Sequence, residues 1–578
     1  MTQDRKPRQN GNKCAECGRD LSKGKKRRYF LMAVLLIIFG IVLKKIYERK
    51  FPKTIAIGLM DDFLKLSAIS NLNLSKSTKA KLLYLAEIAA SSEQRVDEEL
   101  PGMIAAKNGQ KRKHPVTIIP GIANSNLELW KTSKESNSFF RKKIWGSHST
   151  LTFMLHNRSE WFNSMRLDEE TGMDPDGIKV RATPGLESSD FSIPGLWFWW
   201  KIVENLSHIE YDVSAVHFAA FDWRLGMDEL EERDSYFTRL KVDIEHQFII
   251  SKEKSLIVAH SLGSLVFHYF MQWVTEKDKT WVDRYIHAIA YIGPPLLGAP
   301  KAACCLLTGD ALDTAEMGVV QYSIAELLFG RAQRKELFKT WGSALSLLPK
   351  GGEEFWEGDQ PVDGSSQSTI ISTIEQDPAH KEKLPLPQAF ELIKETLGTH
   401  NQKYLERIIN PTCSQDTWIN PLLSPLPHAP NLRIYSLYGI GKPTERAYIL
   451  EKTQSAPLLL HRTQSCEKQR IYRGICTVDG DGTVPLLSAG YMGYAGWKSN
   501  KLNPSRIKTI NKEYTHTPAT AILEVRGGPK TAQHVNILGN HELISDLLLL
   551  ASGGTIEERI VSDLPTITNR LSERQAQK

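Results

Sequence analysis

The 578-residue sequence contains few cysteines, and no segment repeats at a fixed period. Seven cysteines are too few for a fold built on disulfides, and the lack of a repeat excludes solenoids and propellers. Cys14 and Cys17 form a C-x-x-C pair, but the N-terminal tail offers no second Cys or His pair, so we expect no metal site. The hydrophobic fraction of 41% supports a large core and excludes wholesale disorder.

Beyond residue 53 the chain has no excess of positive charge. The formal net charge is +7, but residues 1–53 hold 15 Lys and Arg against 4 Asp and Glu. That surplus of 11 leaves the other 525 residues with a net charge of −4. Because a nucleic-acid-binding protein carries its basic face on the folded domain, we expect no nucleic-acid partner.

Residues 29–43 form an apolar run of 15 residues without a charge. A bilayer core needs about 20 helical residues, a length that the run reaches if the two lysines after it snorkel and residues 46–47 lie at the interface. A signal peptide would end in small residues at a cleavage site, and a buried helix would need other core elements nearby. Neither alternative fits the basic flanks, so we predict one transmembrane helix over 29–47.

The flanks of this run predict its orientation. Residues 1–28 carry 10 Lys and Arg, and the positive-inside rule then predicts a cytosolic N-terminus and a body on the lumenal side. Glycosylation sequons at Asn73, Asn157 and Asn205 are compatible with a lumen.

Short apolar strand candidates alternate with helical patterns along the body. The candidates are 116–119, 213–221, 255–259, 285–292, 432–438 and 521–525. Such alternation predicts an α/β fold with a mostly parallel sheet and helices on both faces. The expected domains are a tail (1–28), the transmembrane helix (29–47), a stalk (48–110), a core in two parts (111–295 and 431–556), a helical cap insertion (296–430) and a C-terminal tail (557–578).

The turn Ala259-His260-Ser261-Leu262-Gly263 resembles the nucleophile elbow G-x-S-x-G. Small flanking residues permit a strand-to-helix turn so tight that it lifts the serine hydroxyl clear of the backbone. An apolar strand precedes this turn and a helical pattern follows it, which favours a nucleophile over an idle serine. The body is therefore predicted to have the α/β-hydrolase fold, with Ser261 as nucleophile.

In this fold the catalytic acid follows the nucleophile in the chain, and the base comes last. The loop 478–485 offers Asp479 and Asp481, and we choose Asp481. A calcium-binding loop is the alternative, but it would need further ligands and a distal glutamate.

Three histidines compete for the role of the base. His534 follows the strand candidate 521–525, as the fold requires. His541 comes after Asn540, a helix-capping residue type, and is better explained as a first-turn surface residue. His516 comes too early in the chain, so we predict that His534 is the base.

The tetrahedral oxyanion needs hydrogen-bond donors. One is the backbone N–H of Leu262, directly after the nucleophile. The second is expected from the loop after the first strand, where we assign Ile122, with Ala123 close behind.

Many short motifs occur in the order that a known family shows. They include Pro120-Gly121-Ile122, Leu127-Glu128-Leu129-Trp130, Ile144-Trp145-Gly146-Ser147, Ala220-Phe221-Asp222-Trp223-Arg224-Leu225, Gly293-Pro294-Pro295, Gly441-Lys442-Pro443-Thr444-Glu445-Arg446 and Arg526-Gly527-Gly528-Pro529-Lys530. On these motifs the chain from His114 to Gly553 resembles the phospholipid:diacylglycerol acyltransferases of the lecithin–cholesterol acyltransferase superfamily. The stretch 441–446 and the N-terminal apolar run favour the diacylglycerol-using branch.

The resemblance implies a two-step reaction. Ser261 takes an acyl group from a phospholipid donor, and the 3-hydroxyl of the diacylglycerol acceptor then receives it, with His534 as base. The family uses no nucleotide cofactor, no acyl-CoA and no metal, so we expect no cofactor. The resemblance also implies a catalytic domain in the lumen of the endoplasmic reticulum, with plastids as the alternative that relatives in photosynthetic cells leave open.

A disulfide-closed lid follows the first loop in the secreted relative. The corresponding stretch, about 127–166, holds no cysteine here, so a lid would depend on its aromatic residues, and Trp130 and Trp145 are predicted to contact the substrates. The aromatic run 197–200 fits either core packing or a lipid-facing patch. Cysteines later in the body allow a lumenal disulfide, but the sequence does not fix the pairing.

Two other enzyme functions use the same three side chains. A phospholipase A would pass the acyl group to water, and a sterol O-acyltransferase would pass it to a sterol. A lipid-binding membrane protein without activity is the non-enzyme alternative, and it would be expected to lack the nucleophile or the base.

Overall fold

The structure, a computed structural model, describes residues 99–577 apart from ten short segments. The segments outside the description are 133–138, 148–149, 151–152, 155–156, 190–198, 310–329, 359, 375–380, 454–455 and 519–527. The predicted tail and transmembrane helix, most of the stalk, the strand candidate 521–525, Asn73 and the Cys14–Cys17 pair all lie outside the described residues. Within the described ranges, no helix combines the length and the apolar character needed to cross a bilayer.

The described strands belong to three sheets. In chain order they are β1 (Val116–Ile119), β2 (Leu127–Lys131), β3 (Lys143–Trp145), β4 (Lys179–Ala182), β5 (Val216–Phe218), β6 (Ser255–His260), β7 (Ile286–Ile292), β8 (Ile371–Ile374), β9 (Lys381–Leu384), β10 (Arg433–Ile440), β11 (Thr444–Thr453), β12 (Ala456–Leu460), β13 (Ile471–Tyr472), β14 (Ile475–Val478) and β15 (Lys508–Thr515).

The described helices surround these sheets. They are α1 (Pro101–Lys107), α2 (Arg158–Met165), α3 (Trp200–Ser207), α4 (Met227–Asp234), α5 (Tyr236–Ser251), α6 (Leu262–Lys277), α7 (Trp281–Tyr285), α8 (Pro300–Thr308), α9 (Arg331–Phe338), α10 (Gly342–Ser346), α11 (Gly352–Trp356), α12 (Leu386–Lys394), α13 (Thr399–Ile409), α14 (Ser414–Thr417), α15 (Leu486–Tyr494), α16 (His541–Ala551) and α17 (Leu564–Ala576).

The largest sheet has six strands in the order β15-β10-β7-β6-β1-β5, and every neighbouring pair is parallel. Its two faces lie in different hydrophobic cores. On β6, Ile257 and Ala259 belong to one core, whereas Leu256 and Val258 belong to the other. Because both faces are covered, the central strands β1, β6 and β7 are nearly continuous apolar runs. The predicted mixed α/β class with a parallel sheet is confirmed.

The edge strand β15 was not predicted, because its sequence Lys-Thr-Ile-Asn-Lys-Glu-Tyr-Thr has polar side chains at buried positions. Glu513 is fully buried, and it accepts hydrogen bonds from the backbone N–H groups of Val561 and Ser562 at 2.6 and 2.8 Å. These partners come from a distant part of the chain. Tertiary hydrogen bonds thus permit a buried strand that the sequence pattern does not indicate.

A second sheet, which was not predicted, contains β13-β14-β11-β8-β9, with β12 paired to β11. Strands β8 and β9 lie inside the range 296–430 that we interpreted as a helical cap, so that interpretation is incomplete. Each has only four residues, and β8 pairs in parallel with residues of β11 that come 77 positions later in the chain. Short strands that pair with distant segments leave little pattern in their own sequence from which they could be predicted.

The range predicted as a lid, about 127–166, contains β2, β3 and α2. Strand β2 pairs with β3 and with β4 in a small antiparallel sheet. Leu127 and Leu129 belong to the main core, whereas Trp130, directly after Leu129, is 40% exposed.

The sequon at Asn205 is not available for a glycan in this fold. Asn205 is completely buried on α3. Its Oδ1 accepts a hydrogen bond from the Gly102 N–H at 2.7 Å, and its Nδ2 donates to the Lys201 carbonyl at 2.7 Å. Asn157 lies half-buried at the start of α2. Among the cysteines, Cys413, Cys466 and Cys476 are free thiols.

Candidate active site

Ser261 lies in the tight turn between β6 and α6. Its backbone has φ 55° and ψ −126°, a conformation that costs a non-glycine residue about 1–3 kcal/mol. The Ser261 N–H donates to the Ile292 carbonyl of β7 at 3.0 Å, which holds the turn in place. At Gly263 a side chain would lie 2.5 Å from the carbonyl oxygens of Ile119 and Pro120, so the motif needs a glycine there.

The structure brings the three predicted side chains together in one hydrogen-bonded chain. The Ser261 hydroxyl lies 2.8 Å from His534 Nε2, and His534 Nδ1 lies 2.7 Å from Asp481 Oδ2. All three residues are at least 94% buried. The serine hydroxyl can donate to Nε2 while Nδ1–H donates to the carboxylate, which is the arrangement that activates a serine nucleophile.

Asp481 is held rigidly by its own loop. Its second oxygen, Oδ1, accepts hydrogen bonds from the N–H groups of Thr483 at 2.9 Å and Val484 at 2.7 Å. The Asp481 carbonyl also accepts the His534 N–H at 2.9 Å. The competing Asp479 instead accepts from the Gly441 N–H at 2.6 Å. Only Asp481 of the two therefore contacts the imidazole.

The two rejected histidines have other contacts. His541 is the first residue of α16, and the Asn540 side chain caps that helix by accepting from the Leu543 N–H at 3.0 Å. His516 Nδ1 accepts the Ala532 N–H at 3.2 Å, two residues before His534. His516 thus supports the loop that carries the predicted base.

The predicted oxyanion donors lie beside the nucleophile. A Cβ at Gly121 would be 2.9 Å from the Ser261 Cβ, so the loop 121–123 passes directly against the serine. The N–H groups of Leu262 and Ile122 have no hydrogen-bond acceptor among the described residues. Two open donors near a serine hydroxyl are what a developing oxyanion requires.

Comparisons with known proteins agree with this geometry. The profile of the lecithin:cholesterol acyltransferase family matches residues 139–541. The chain belongs to this family. The resemblance inferred from the motifs is thereby confirmed.

Several curated relatives in the acyltransferase family cover most of the chain. A phospholipid:diacylglycerol acyltransferase of Schizosaccharomyces pombe is 34% identical over 496 residues, which are 82% of this chain and 78% of that protein. One of Saccharomyces cerevisiae is 33% identical over 488 residues, covering 78% of this chain and 72% of the relative. One of Arabidopsis thaliana is 32% identical over 555 residues, covering 78% and 82%.

His260 is an active-site residue of this family member that sequence reasoning missed. Its Nε2 lies 2.9 Å from the backbone carbonyl of His534, and its Nδ1 lies 3.2 Å from Asn124 Nδ2. Burial, together with the neighbouring His534 imidazole, lowers the pKa of His260 to about 3. The ring is therefore neutral, donating to the His534 carbonyl through Nε2–H and accepting from Asn124 at Nδ1.

The two tryptophans predicted to contact substrates occupy different positions. Trp145 is half-buried, and its Nε1 donates to the Ala123 carbonyl at 2.9 Å, so it braces the oxyanion loop. Trp130 is 40% exposed, its Nε1 donates to Glu128 at 2.8 Å, and Arg141 lies over its ring at 5.0 Å.

A buried ion cluster supports the chain next to the oxyanion loop, residues 121–123. Arg224, fully buried, binds Asp222 with its Nη2 at 2.6 Å and Asp174 at 2.9 Å. Burial alone would raise the pKa of Asp222, but the charges of Arg224 and Arg233 lower it well below its usual range. Trp223 lies between Asp222 and Arg224 in the sequence, and its Nε1 donates to the Ser125 carbonyl at 3.0 Å. This hydrogen bond connects the cluster to the chain just after the oxyanion loop.

Proposed function

We propose that this chain is an O-acyltransferase that moves a fatty acyl group from a phospholipid to diacylglycerol, independently of acyl-CoA. The single observation that carries the proposal is the Ser261–His534–Asp481 hydrogen-bonded chain, at 2.8 and 2.7 Å, in a member of this family. Relatives at 32–34% identity are named phospholipid:diacylglycerol acyltransferases, which supports the choice of donor and acceptor.

In the first step Ser261 Oγ attacks the carbonyl carbon of a phospholipid acyl ester. His534 Nε2 takes the hydroxyl proton, and the N–H groups of Leu262 and Ile122 stabilise the oxyanion. The protonated imidazole then gives that proton to the leaving alkoxide. Lysophospholipid departs, and the acyl group remains esterified to Ser261.

In the second step the 3-hydroxyl of diacylglycerol attacks the acyl-enzyme. His534 removes the proton from this hydroxyl and returns it to Ser261 Oγ when the tetrahedral intermediate collapses. The products are triacylglycerol and free enzyme.

Asp481 has a positioning and electrostatic role in both steps. Its carboxylate, 2.7 Å from His534 Nδ1, fixes the tautomer that leaves Nε2 free to accept a proton, and it stabilises the imidazolium that forms. The two backbone N–H groups on its other oxygen hold the carboxylate in this orientation.

Burial of the nucleophile favours transfer over hydrolysis. Ser261 is only 6% exposed, and exclusion of water from a closed site protects a reactive acyl-enzyme. We propose that the segment at about 127–166 is a lid over an α/β-hydrolase core and that residues 296–430 form a cap. Trp130 and Trp145 are proposed to contact lipid when the lid is closed.

The direct test is the conversion of labelled phospholipid and diacylglycerol by purified Ser261→Ala protein. We expect triacylglycerol formation to fall to background. Ser264→Ala is the matched control, because Ser264 is a buried serine one turn further along α6 whose hydroxyl donates to the Ala259 carbonyl at 3.2 Å. Triacylglycerol synthesis that survives in Ser261→Ala would disprove the nucleophile assignment.

The products separate the proposed reaction from its alternatives. Free fatty acid as the main product with diacylglycerol present would indicate a phospholipase A, and a sterol ester formed in preference to triacylglycerol would indicate a sterol acyltransferase. Triacylglycerol and lysophospholipid in equal amounts support the proposal.

We also propose that residues 29–47 span the membrane of the endoplasmic reticulum once, with a cytosolic N-terminus and a lumenal catalytic body. The apolar run and its basic flanks support this topology. In sealed microsomes, protease should remove an N-terminal tag and spare a C-terminal one until detergent is added. Digestion of the C-terminal tag in intact microsomes would exclude the proposed topology.

A further inference from the structure

A cavity of about 420 Å³ lies beside the loop that carries Asp481. Val478 and Asp479, directly before the loop, line one wall together with Leu486 directly after it. The first turn of α17 contributes another part of the lining. The acyl transfer described above uses none of the cavity's polar side chains.

Three cationic side chains line this cavity: Lys468, Arg470 and Arg570. Among the described residues, none of the three has a carboxylate within ion-pair distance. Arg570 makes only a long contact of 3.5 Å with the carbonyl oxygen of Val362. Three unpaired cations converging on one cavity create a positive potential inside it.

Three carboxylates also line the cavity, and one of them is paired with a cation outside it. Asp363 forms an ion pair with Arg446 and accepts a backbone N–H at 3.1 Å. Asp479 accepts two backbone N–H groups, at 2.6 and 2.8 Å. Asp479 and Asp563 have no cationic partner among the described residues, so they offset two of the three cations, and a surplus of one positive charge remains.

The start of α17 adds to this positive character. The helix runs for 13 residues from Leu564, and its N-terminus carries a partial positive charge from the helix dipole. Thr566 and Ile567 on the first turn line the cavity, and the Thr566 hydroxyl is a further donor.

We propose that this cavity binds a phosphate ester through Lys468, Arg470 and Arg570 at the N-terminal turn of α17. Guanidinium groups match the geometry of phosphate oxygens and bind them in a bidentate manner. The volume of about 420 Å³ is in the range of small-molecule sites and leaves room for the esterified group. The ester is either a lipid headgroup or a soluble phosphate compound.

The position of the cavity couples it to the catalytic acid. The Leu486 N–H donates to the Asp479 carbonyl at 3.0 Å, and Gly480 pairs with Pro485 across the loop. A ligand in the cavity therefore touches both stems of the loop that holds Asp481. Binding itself does not depend on the proposed acyl transfer.

The test compares the full-length protein in a non-ionic detergent with a triple variant, Lys468→Ala/Arg470→Ala/Arg570→Ala. Isothermal titration of the wild type with glycerol 3-phosphate is expected to give a dissociation constant of about 0.1–1 mM. The triple variant is expected to bind the same compound at least about tenfold more weakly. A control triple variant, Arg473→Ala/Lys501→Ala/Lys508→Ala, removes three exposed cations that do not line the cavity and should bind like the wild type.

Equal affinity in the two triple variants, or no binding beyond that of chloride at the same ionic strength, would overturn the proposal. A second titration, with inorganic phosphate, distinguishes a lipid headgroup from a soluble phosphate compound as the natural ligand. Tighter binding of glycerol 3-phosphate, by about tenfold or more, supports a lipid headgroup, whereas equal affinities support a soluble phosphate. A wild type that binds these ligands but makes no triacylglycerol would refute only the acyltransferase function.

Discussion

Replacing His260 with leucine removes two hydrogen bonds that join three parts of the active site. In the native protein the imidazole donates to the His534 carbonyl at 2.9 Å and accepts from Asn124 at 3.2 Å. His260 also precedes Ser261 in the chain. It thus links the nucleophile turn, the loop of the predicted base and the end of the oxyanion loop.

The expected effect follows from the buried carbonyl that the substitution leaves without a partner. An unsatisfied buried polar group costs about 1–3 kcal/mol, which is enough to shift the loop that carries His534. A displacement of about 1 Å in a catalytic group lowers the rate by about 100-fold. We therefore expect kcat to fall about 10- to 100-fold in His260→Leu, with KM changed by less than about twofold because His260 is a positioning residue.

His260→Gln is the informative companion variant. A glutamine amide can donate to the His534 carbonyl and accept from Asn124, so kcat should stay within about fivefold of the wild-type value. The pH dependence of kcat should not change, since burial lowers the pKa of His260 to about 3 and it does not titrate near neutrality. His246→Leu, at an exposed position on α5, is the matched control for loss of an imidazole.

The assay is single-turnover transfer from labelled phospholipid, together with circular dichroism of each variant. Full activity in His260→Leu would refute the positioning role. A glutamine variant as slow as the leucine variant would show that the imidazole itself is required, and the hydrogen-bond reasoning would fail.

Three further predictions concern the catalytic acid, the ion cluster and acid stability. Asp481→Asn should lower kcat about 10⁴-fold because the wrong imidazole tautomer is favoured. Asp479→Asn keeps an acceptor for its backbone partners, so its kcat should stay within about tenfold of the wild-type value. Single-turnover assays measure both variants. Arg224→Met leaves the Asp222 carboxylate buried without its main partner and should lower the free energy of unfolding by about 3–5 kcal/mol, seen as a lower urea midpoint at unchanged slope. Burial lowers the pKa of His268 to about 3, so the unfolded chain binds a proton that the folded chain does not, and the free energy of unfolding should fall as the pH drops below about 6.5. His268→Gln should make that dependence shallower in urea titrations between pH 4 and 7.

The central strands were predictable because a parallel sheet buries both faces of each strand. The candidates 116–119, 255–259, 285–292 and 432–438 begin or end within two residues of β1, β6, β7 and β10. The candidate 213–221 is longer than β5, since apolar residues continue into the turn after that strand. Strand β15 shows the limit of this reasoning: its buried polar groups are acceptable only because distant residues satisfy them.

Chain order and motif context were enough to predict the three side chains of the candidate site, but not their supporting contacts. The elbow motif identified Ser261, and the order of acid and base narrowed the choice to a few side chains. Asp479 and Asp481 are two residues apart and chemically identical, so only their contacts decide which one meets His534. The contacts of His260 involve residues 124 and 534, and no local pattern indicates them.

The carboxyl edge of the central sheet explains why Asp481 and His534 meet at Ser261 although they come from different loops. A side chain at Gly293, directly after β7, would lie 3.1 Å from both Asp481 Oδ2 and His534 Nδ1. At Gly439 on β10 a Cβ would lie 1.8 Å from the Ala532 carbonyl oxygen, so no other residue type allows the base loop to come this close. The two glycines therefore set how deeply the acid–base pair sits on the sheet, and with it the distance between the imidazole and the serine hydroxyl. This gives a physical reason for Gly-Pro-Pro at 293–295, a motif that the sequence presented only as a resemblance.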